Sequence, residues 1–221
     1  MATIISKIRK QNFTCLILIV GVIFFGPLSC NIDDLLTYEA EMVQGIPAVK
    51  GSVKFFEPGK KPSSAQLAQN TIYQDIKCAK WATIGFYESG KLYDCVLYDD
   101  MILQNIHFPQ RTWIRFFEDG NVSEAKLAED VTIQTIPCAQ NTLVRFYNQG
   151  TLAQATLGQT LTHKGYKLAK GTRLSFHENG KLDYAALVEE ITLKDQKKCS
   201  KYSTLEFNEE GFVYLRSCLK P

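Results

Sequence analysis

A pattern of apolar and polar positions repeats through most of the chain with a period of 30 or 31 residues. Its clearest marker is a phenylalanine followed four residues later by a glycine. The six glycines of this marker are Gly59, Gly90, Gly120, Gly150, Gly180 and Gly211. Apolar residues alternate on both sides of each glycine, as at Leu174 and Phe176 before Gly180 and at Ala185 and Leu187 after it. Alternation with period two is typical of half-buried strands, so each marker predicts a β-hairpin.

The residues around the glycine also predict the pairing within each hairpin. Asn179-Gly180 suits a two-residue turn in which both residues have positive φ. Such a turn places Leu174 opposite Ala185 and Phe176 opposite Asp183, because the turn fixes the register. The face with Leu174, Phe176 and Ala185 is apolar in every repeat, and we assign it to the core.

The other face of each predicted hairpin begins with an aromatic side chain directly after the phenylalanine. These residues are Tyr87, Phe117, Tyr147 and His177, with Leu92, Val122, Leu152 and Leu182 predicted to lie across from them. Either a second layer, such as the short strand of each repeat, covers this face, or the rings form an exposed strip that binds a partner. The candidate binding strip consists of Tyr87, Phe117 and Tyr147.

The pattern therefore predicts an all-β fold. Each repeat has two strands, such as 142–147 and 151–157, and a third, shorter one near 132–138, and no segment has a helical period. Because stacked repeats bury their apolar faces on their neighbours, about six of them form an elongated array over residues 36–221. The alternatives are an antiparallel meander and a β-solenoid with three short sides, and the hairpin turns favour the meander.

The first 30 residues follow a different pattern, which is typical of a secretory signal. A basic segment precedes an apolar run over residues 13–25, and at about a dozen residues this run is too short to span a membrane. Leu28-Ser29-Cys30 then resembles the bacterial lipobox, in which the cysteine thiol is acylated and becomes the new N-terminus. An uncleaved anchor, or a signal cleaved at Ser29 without lipidation, is the alternative.

The lipobox resemblance implies a cleaved signal peptide over residues 1–29, fatty acids such as palmitate on Cys30, and a lipidated tether over residues 30–35. A doubly acylated cysteine anchors a protein stably to a membrane. We therefore expect an exported protein that is anchored to a bacterial membrane, on the outer membrane or cell surface.

The repeat itself resembles the MORN-type repeat, especially its bacterial variants. The shared motif is the Phe-aromatic-x-x-Gly-x-Leu hairpin, which covers most of residues 50–221. The resemblance implies a β-hairpin array that serves as a scaffold or binds proteins or lipids, without catalytic activity. The present repeat is longer than a MORN unit, because it adds an Ile/Gln segment such as 132–136.

Five cysteines lie in the repeat region, and an exported protein meets conditions that allow disulfides. Their repeat positions pair Cys78 with Cys95 and Cys199 with Cys218, and they leave Cys138 without a counterpart. The alternative is that all five are buried thiols that pack as small apolar groups. No spacing of cysteine and histidine indicates a metal site.

The net charge and the sequence motifs argue against two classes of function, nucleic-acid binding and catalysis. Without its basic N-terminal segment, the chain has 22 basic against 23 acidic residues, which gives no electrostatic basis for binding nucleic acid. No known catalytic motif occurs, and acidic pairs such as Asp99-Asp100 recur at a fixed repeat position that suits a solvated turn. We expect no catalytic residues, metal or cofactor, and a non-enzymatic lipoprotein that binds an envelope or extracellular protein, glycan or lipid. The alternative is an envelope hydrolase with an unrecognised site.

Overall fold

The computed structural model describes residues 39–213. The chain divides into two units, Met1–Thr37 and Tyr38–Pro221, and the described residues belong to the second unit. The predicted signal peptide, Cys30 and the tether lie outside the described residues, as does Cys218. Within residues 39–213, all the regular secondary structure consists of β-strands, which confirms the predicted all-β fold.

Eleven of the 23 described strands form one antiparallel sheet, which we call the main sheet. In chain order its strands are β3 (Lys54–Phe55), β4 (Pro62–Gln66), β7 (Thr83–Phe86), β8 (Leu92–Val96), β11 (Trp113–Phe116), β12 (Val122–Lys126), β15 (Leu143–Phe146), β16 (Leu152–Thr156), β19 (Arg173–Phe176), β20 (Leu182–Ala186) and β23 (Thr204–Glu206). Each strand pairs with the main-sheet strands before and after it in the chain, so the sheet is an antiparallel meander, as predicted.

The other twelve described strands form six two-stranded sheets, which we call the short hairpins. They are β1–β2 (Ala40–Val43 and Ile46–Val49), β5–β6 (Thr71–Tyr73 and Ile76–Cys78), β9–β10 (Met101–Leu103 and Ile106–Phe108), β13–β14 (Val131–Ile133 and Ile136–Cys138), β17–β18 (Leu161–His163 and Tyr166–Leu168) and β21–β22 (Ile191–Thr192 and Lys198–Cys199). One short hairpin and one main-sheet hairpin, which we call a long hairpin, make up each of the first five repeats, and the sixth short hairpin is followed by the single strand β23.

The core lies between the main sheet and the short hairpins. In β15, Val144 and Phe146 are buried and alternate with exposed Leu143 and Arg145. Rings from the two layers meet in the core, where Phe108 of β10 packs edge-on against Phe146 with the ring centroids 6.2 Å apart. The short hairpins therefore cover one face of the main sheet, and we call the opposite face the outer face.

The pairing within each long hairpin differs from the predicted register because each hairpin contains a β-bulge. In the hairpin of β19 and β20, Leu174 pairs with Ala185 as predicted, but Phe176 pairs with Leu182 and not with Asp183. Asp183 is the extra residue of the bulge, which turns Leu182 into the core. The bulge recurs in the other long hairpins. The predicted outer-face residues that are buried in the core for this reason are Leu92, Val122, Leu152 and Leu182.

The turn of each long hairpin also differs from the predicted two-residue turn. The Gly180 N–H donates to the His177 carbonyl oxygen, and the His177 N–H donates to the Lys181 carbonyl oxygen, both at 2.9 Å. Gly180 has a φ of 80°, whereas Asn179 is not among the residues with positive φ. This is the pattern of a type I turn followed by a left-handed residue, where glycine has no steric penalty. The Asn179 side chain instead accepts a hydrogen bond from the Lys181 N–H.

The segment predicted as one short third strand is a hairpin in each repeat. β13 and β14 enclose the two-residue turn Gln134-Thr135, whose φ angles are 47° and 75°. Positive φ at both residues characterises the type I′ turn, which matches the twist of the flanking strands. The turn is hard to recognise in the sequence because glutamine stands where asparagine, aspartate or glycine is usual.

Candidate functional site

A row of mainly polar residues crosses the outer face of the main sheet. Its members lie directly opposite one another in neighbouring strands, so their side chains are close enough to interact. From β7 to β20 the row consists of Gly85, Asp94, Arg115, Glu124, Arg145, Gln154, Ser175 and Tyr184. Opposite charges alternate from Asp94 to Arg145, and this order favours attraction between neighbours.

Glu124 joins the two arginines of this polar row. Its carboxylate oxygens accept hydrogen bonds from Arg115 Nη1 at 2.9 Å and from Arg145 Nε at 2.8 Å. Arg145 Nη1 also donates to Gln154 Oε1 at 2.7 Å. The Glu124 side chain is only 19% exposed, whereas that of Arg145 is 49% exposed. The network therefore holds the Arg145 guanidinium in place while leaving it accessible to a carboxylate or hydroxyl group.

Aromatic rings surround Arg115 at one end of this network. Its guanidinium lies 4.9 Å from the ring centroid of Tyr93 and 4.8 Å from that of Trp113, within the range of cation–π contacts. Burial raises the pKa of the neighbouring Asp94, while the Arg115 charge and hydrogen bonds from Trp113 and Gly85 partly offset that rise. Asp94 is therefore partly shielded from water at this end of the row.

The predicted binding strip lines a groove beside the polar row. Tyr87, Phe117 and Tyr147 are all half-buried, and together with Arg115 and Arg145 they line a groove of about 500 Å³. None of the residues that line the groove belongs to a short hairpin, so part of each ring stays accessible. Binding at this strip stays a prediction.

The two tyrosines of the strip also connect successive repeats. The Tyr87 hydroxyl donates to the Phe116 carbonyl oxygen, and the Tyr147 hydroxyl donates to the Phe176 carbonyl oxygen, both at 2.8 Å. Each acceptor belongs to the next long hairpin along the chain. Phe117 has the same repeat position but has no hydroxyl to make this bond. The tyrosines therefore combine a structural contact with a place in the groove.

The acidic residues between the strands cap turns. Asp100 Oδ1 accepts a hydrogen bond from the Gln110 N–H at 2.8 Å, and Asp130 Oδ1 accepts one from the Gln140 N–H at 2.6 Å. Both aspartates are exposed, in agreement with the solvated turn that their repeat position predicts. Within residues 39–213, no group of three or more histidine, cysteine, aspartate or glutamate side chains could hold a metal ion.

A disulfide links the two layers of the fold. Cys78 of β6 is bonded to Cys95 of β8, with Cα atoms 5.7 Å apart, and this is the first of the two pairs that the repeat positions predict. In the second pair, Cys199 is buried and Cys218 lies outside the described residues. Cys138 is a free, buried cysteine, and burial raises the pKa of its thiol to about 12.

The repeat pattern predicts the aromatic strip but not the polar row. The available signal was the recurrence of charge at one repeat position, since Arg115 and Arg145 are thirty residues apart. Glu124 lies between them in the chain and also contacts both of them in the sheet. This contact depends on the pairing between strands, which a repeat position alone does not provide.

No protein-family profile matches the chain, and no curated protein matches it in sequence. The resemblances to MORN-type repeats and to bacterial lipoproteins therefore stay predictions. In the part of the chain from residue 39 to residue 213, no helix has the length and apolar character needed to cross a membrane.

Proposed function

We propose that the protein is a lipid-anchored, non-enzymatic binding or scaffold module of the bacterial envelope, and that its partner binds the outer face of the main sheet. The observation that supports this face most strongly is the polar row, in which Glu124 holds Arg115 and Arg145 beside a groove lined with aromatic rings. Rings and oriented donors on an open surface suit many modest contacts with a large partner better than they suit one small substrate.

The charges of the polar row favour a protein or a glycan over a lipid chain. Arg115 and Arg145 would lose water on contact with an acyl chain and gain no polar partner in exchange, which costs free energy. A protein or glycan offers carboxylate, carbonyl or hydroxyl oxygens, which accept from a guanidinium. Half-buried rings such as Tyr147 add apolar contact area next to these donors.

The membrane anchor rests on the N-terminal sequence pattern. Replacing Cys30 by alanine removes the acylated thiol, so we expect an unprocessed precursor that a fatty-acid analogue no longer labels. Metabolic labelling followed by mass measurement checks this. An alanine variant that still gives the labelled, mature protein would contradict the anchor.

Two substitutions to glutamate, one in each layer, test the binding face. Arg145→Glu reverses a charge on the outer face, whereas Thr162→Glu adds the same carboxylate to the exposed side of a short hairpin. We expect chemical crosslinking in intact cells to give the same complex for the unchanged protein and for Thr162→Glu, and to give little of it for Arg145→Glu. The opposite order, or no complex with the unchanged protein, would contradict the proposal.

A further inference from the structure

Glutamine side chains from the short hairpins complete the hydrogen bonding of the long hairpins. Gln134 Nε2 donates to the Gly150 carbonyl oxygen at 2.8 Å, and Gln134 Oε1 accepts from the Leu152 N–H at 3.0 Å. We call this pair of bonds the glutamine clip. The same pair joins Gln74 to Gly90 and Leu92, and the accepting half of it joins Gln104 to Val122. A carboxamide suits the place because it offers a donor and an acceptor side by side.

The fifth short hairpin, β17–β18, interrupts this series. Lys164 stands thirty residues after Gln134, at the first position of the turn, with a similar φ of 51°. An ammonium group has no acceptor for the N–H of Leu182, the residue that corresponds to Leu152. The Lys164 side chain also takes another direction, since its Nζ lies 5.2 Å from the centroid of the Phe212 ring. Lys164 therefore does not form the clip.

A cavity of about 240 Å³ borders Gly180 and Leu182, which correspond to the two residues that the Gln134 carboxamide binds in the preceding repeat. Gly180 and Leu182 line it from the long hairpin, and His163 and Lys164 line it from the short hairpin. His163 Nε2 is buried and has no hydrogen-bond partner among the described residues. The ring of Phe207 packs edge-on against the His163 ring with the centroids 5.4 Å apart, which holds the imidazole beside the cavity.

Two lining residues from the short hairpin, His163 and Lys164, differ in character from their equivalents in the preceding repeat. His163 has the same repeat position as Ile133, a buried apolar residue. A polar side chain therefore stands next to Lys164, the residue that occupies the glutamine position. Buried polar atoms are normally hydrogen-bonded, so the unpaired imidazole nitrogen shows that the polar groups of this repeat are not all satisfied within the described residues. Exposed Lys164 and Glu210 border the cavity, so a ligand can enter from solvent.

We propose that this cavity is a binding site for a primary carboxamide, the group that glutamine itself supplies in the earlier repeats. The ligand nitrogen donates to the Gly180 carbonyl oxygen, and the ligand oxygen accepts from the Leu182 N–H. The carboxamide belongs either to a small molecule or to a glutamine or asparagine side chain of a partner. The cavity lies apart from the groove on the outer face, so it does not depend on the function proposed above.

Propionamide, which reproduces the end of a glutamine side chain, is the first probe. Ligand-observed saturation-transfer NMR on the purified full chain should show saturable binding in the millimolar range, as expected for so small a ligand. Propionate lacks the N–H donors, and so does N,N-dimethylpropionamide, so each should bind at least about tenfold more weakly. Equal binding of the three compounds, or no saturable binding of propionamide, would overturn the proposal.

Two substitutions at one residue decide whether the cavity is the site. Lys164→Gln supplies the missing carboxamide from the chain itself, so we expect it to raise the urea midpoint of unfolding and to abolish propionamide binding. Lys164→Ala removes the ammonium but leaves the cavity open, so it should still bind propionamide. Binding that survives in Lys164→Gln, or that is lost in Lys164→Ala, would contradict the proposed site.

A peptide then separates the two sources of the carboxamide. Acetyl-Gly-Gln-Gly-N-methylamide should bind more tightly than propionamide if the natural ligand is a protein side chain, and its glutamate counterpart should not bind. Binding of propionamide without binding of the peptide assigns the site to a small molecule. Equal binding of the glutamine and glutamate peptides would contradict recognition of a carboxamide.

Discussion

Replacing Gln134 by alanine tests whether the glutamine clip holds one repeat to the next. The substitution removes the bonds of Gln134 to the Gly150 carbonyl oxygen (2.8 Å) and the Leu152 N–H (3.0 Å). Each hydrogen bond contributes about 0.5–1.5 kcal/mol net, and a donor left unpaired in a part-buried place costs about 1–3 kcal/mol. The positive φ of residue 134 is as unfavourable for alanine as for glutamine, so the backbone adds little. We expect the free energy of unfolding to fall by about 2–3 kcal/mol.

The matched control is Lys164→Ala, at the same position of another type I′ turn. Lys164 makes no clip, and its contact with the exposed Phe212 ring is worth about 0.5 kcal/mol. Urea unfolding followed by far-ultraviolet circular dichroism measures both variants under the same conditions. Equal losses for the two variants, or a loss below about 0.5 kcal/mol for Gln134→Ala, would refute a stabilising role of the clip.

Three further predictions concern other parts of the fold. Tyr147→Phe loses the 2.8 Å hydroxyl bond to the Phe176 carbonyl oxygen but keeps the ring, so urea unfolding should show a loss of about 1 kcal/mol. Gly85→Ala places a Cβ against the Asp94 carboxylate, so we expect a loss of about 1–3 kcal/mol by the same assay, and an unchanged midpoint would contradict the close approach. Iodoacetamide at about pH 8 should leave Cys138 unlabelled in the folded protein and label it in urea, because burial raises the pKa of the thiol to about 12.

Much of the fold could be predicted because the same pattern of apolar residues and glycine recurs in six repeats. The observed strands Leu143–Phe146 and Leu152–Thr156 lie within the predicted ranges 142–147 and 151–157. A strict period of two in the second strand of the hairpin does not predict the bulge. Leu182 and Ala185 are both buried although they are three residues apart, and this odd spacing between apolar positions is the mark that a bulge leaves in a sequence.

The candidate site was less predictable than the fold. The aromatic strip could be found from repeat positions alone, because the rings recur at one place in each repeat. The network of Arg115, Glu124 and Arg145 could not, since it joins residues 9 and 21 positions apart whose contact depends on the pairing of three strands. The sequence shows that Lys164 replaces a glutamine of the earlier repeats. It does not show that those glutamines bind the long hairpins, so it could not predict the cavity beside Lys164.

Site-specific photo-crosslinking in intact cells tests the central claim, that the outer face of the main sheet is the binding face. A photoreactive amino acid replaces either Leu143, which is exposed on the outer face, or Thr162, which is exposed on a short hairpin in the other layer. We predict that irradiation joins the protein to one defined partner from position 143 and not from position 162. A partner captured only from position 162, or equally from both positions, would contradict the claim.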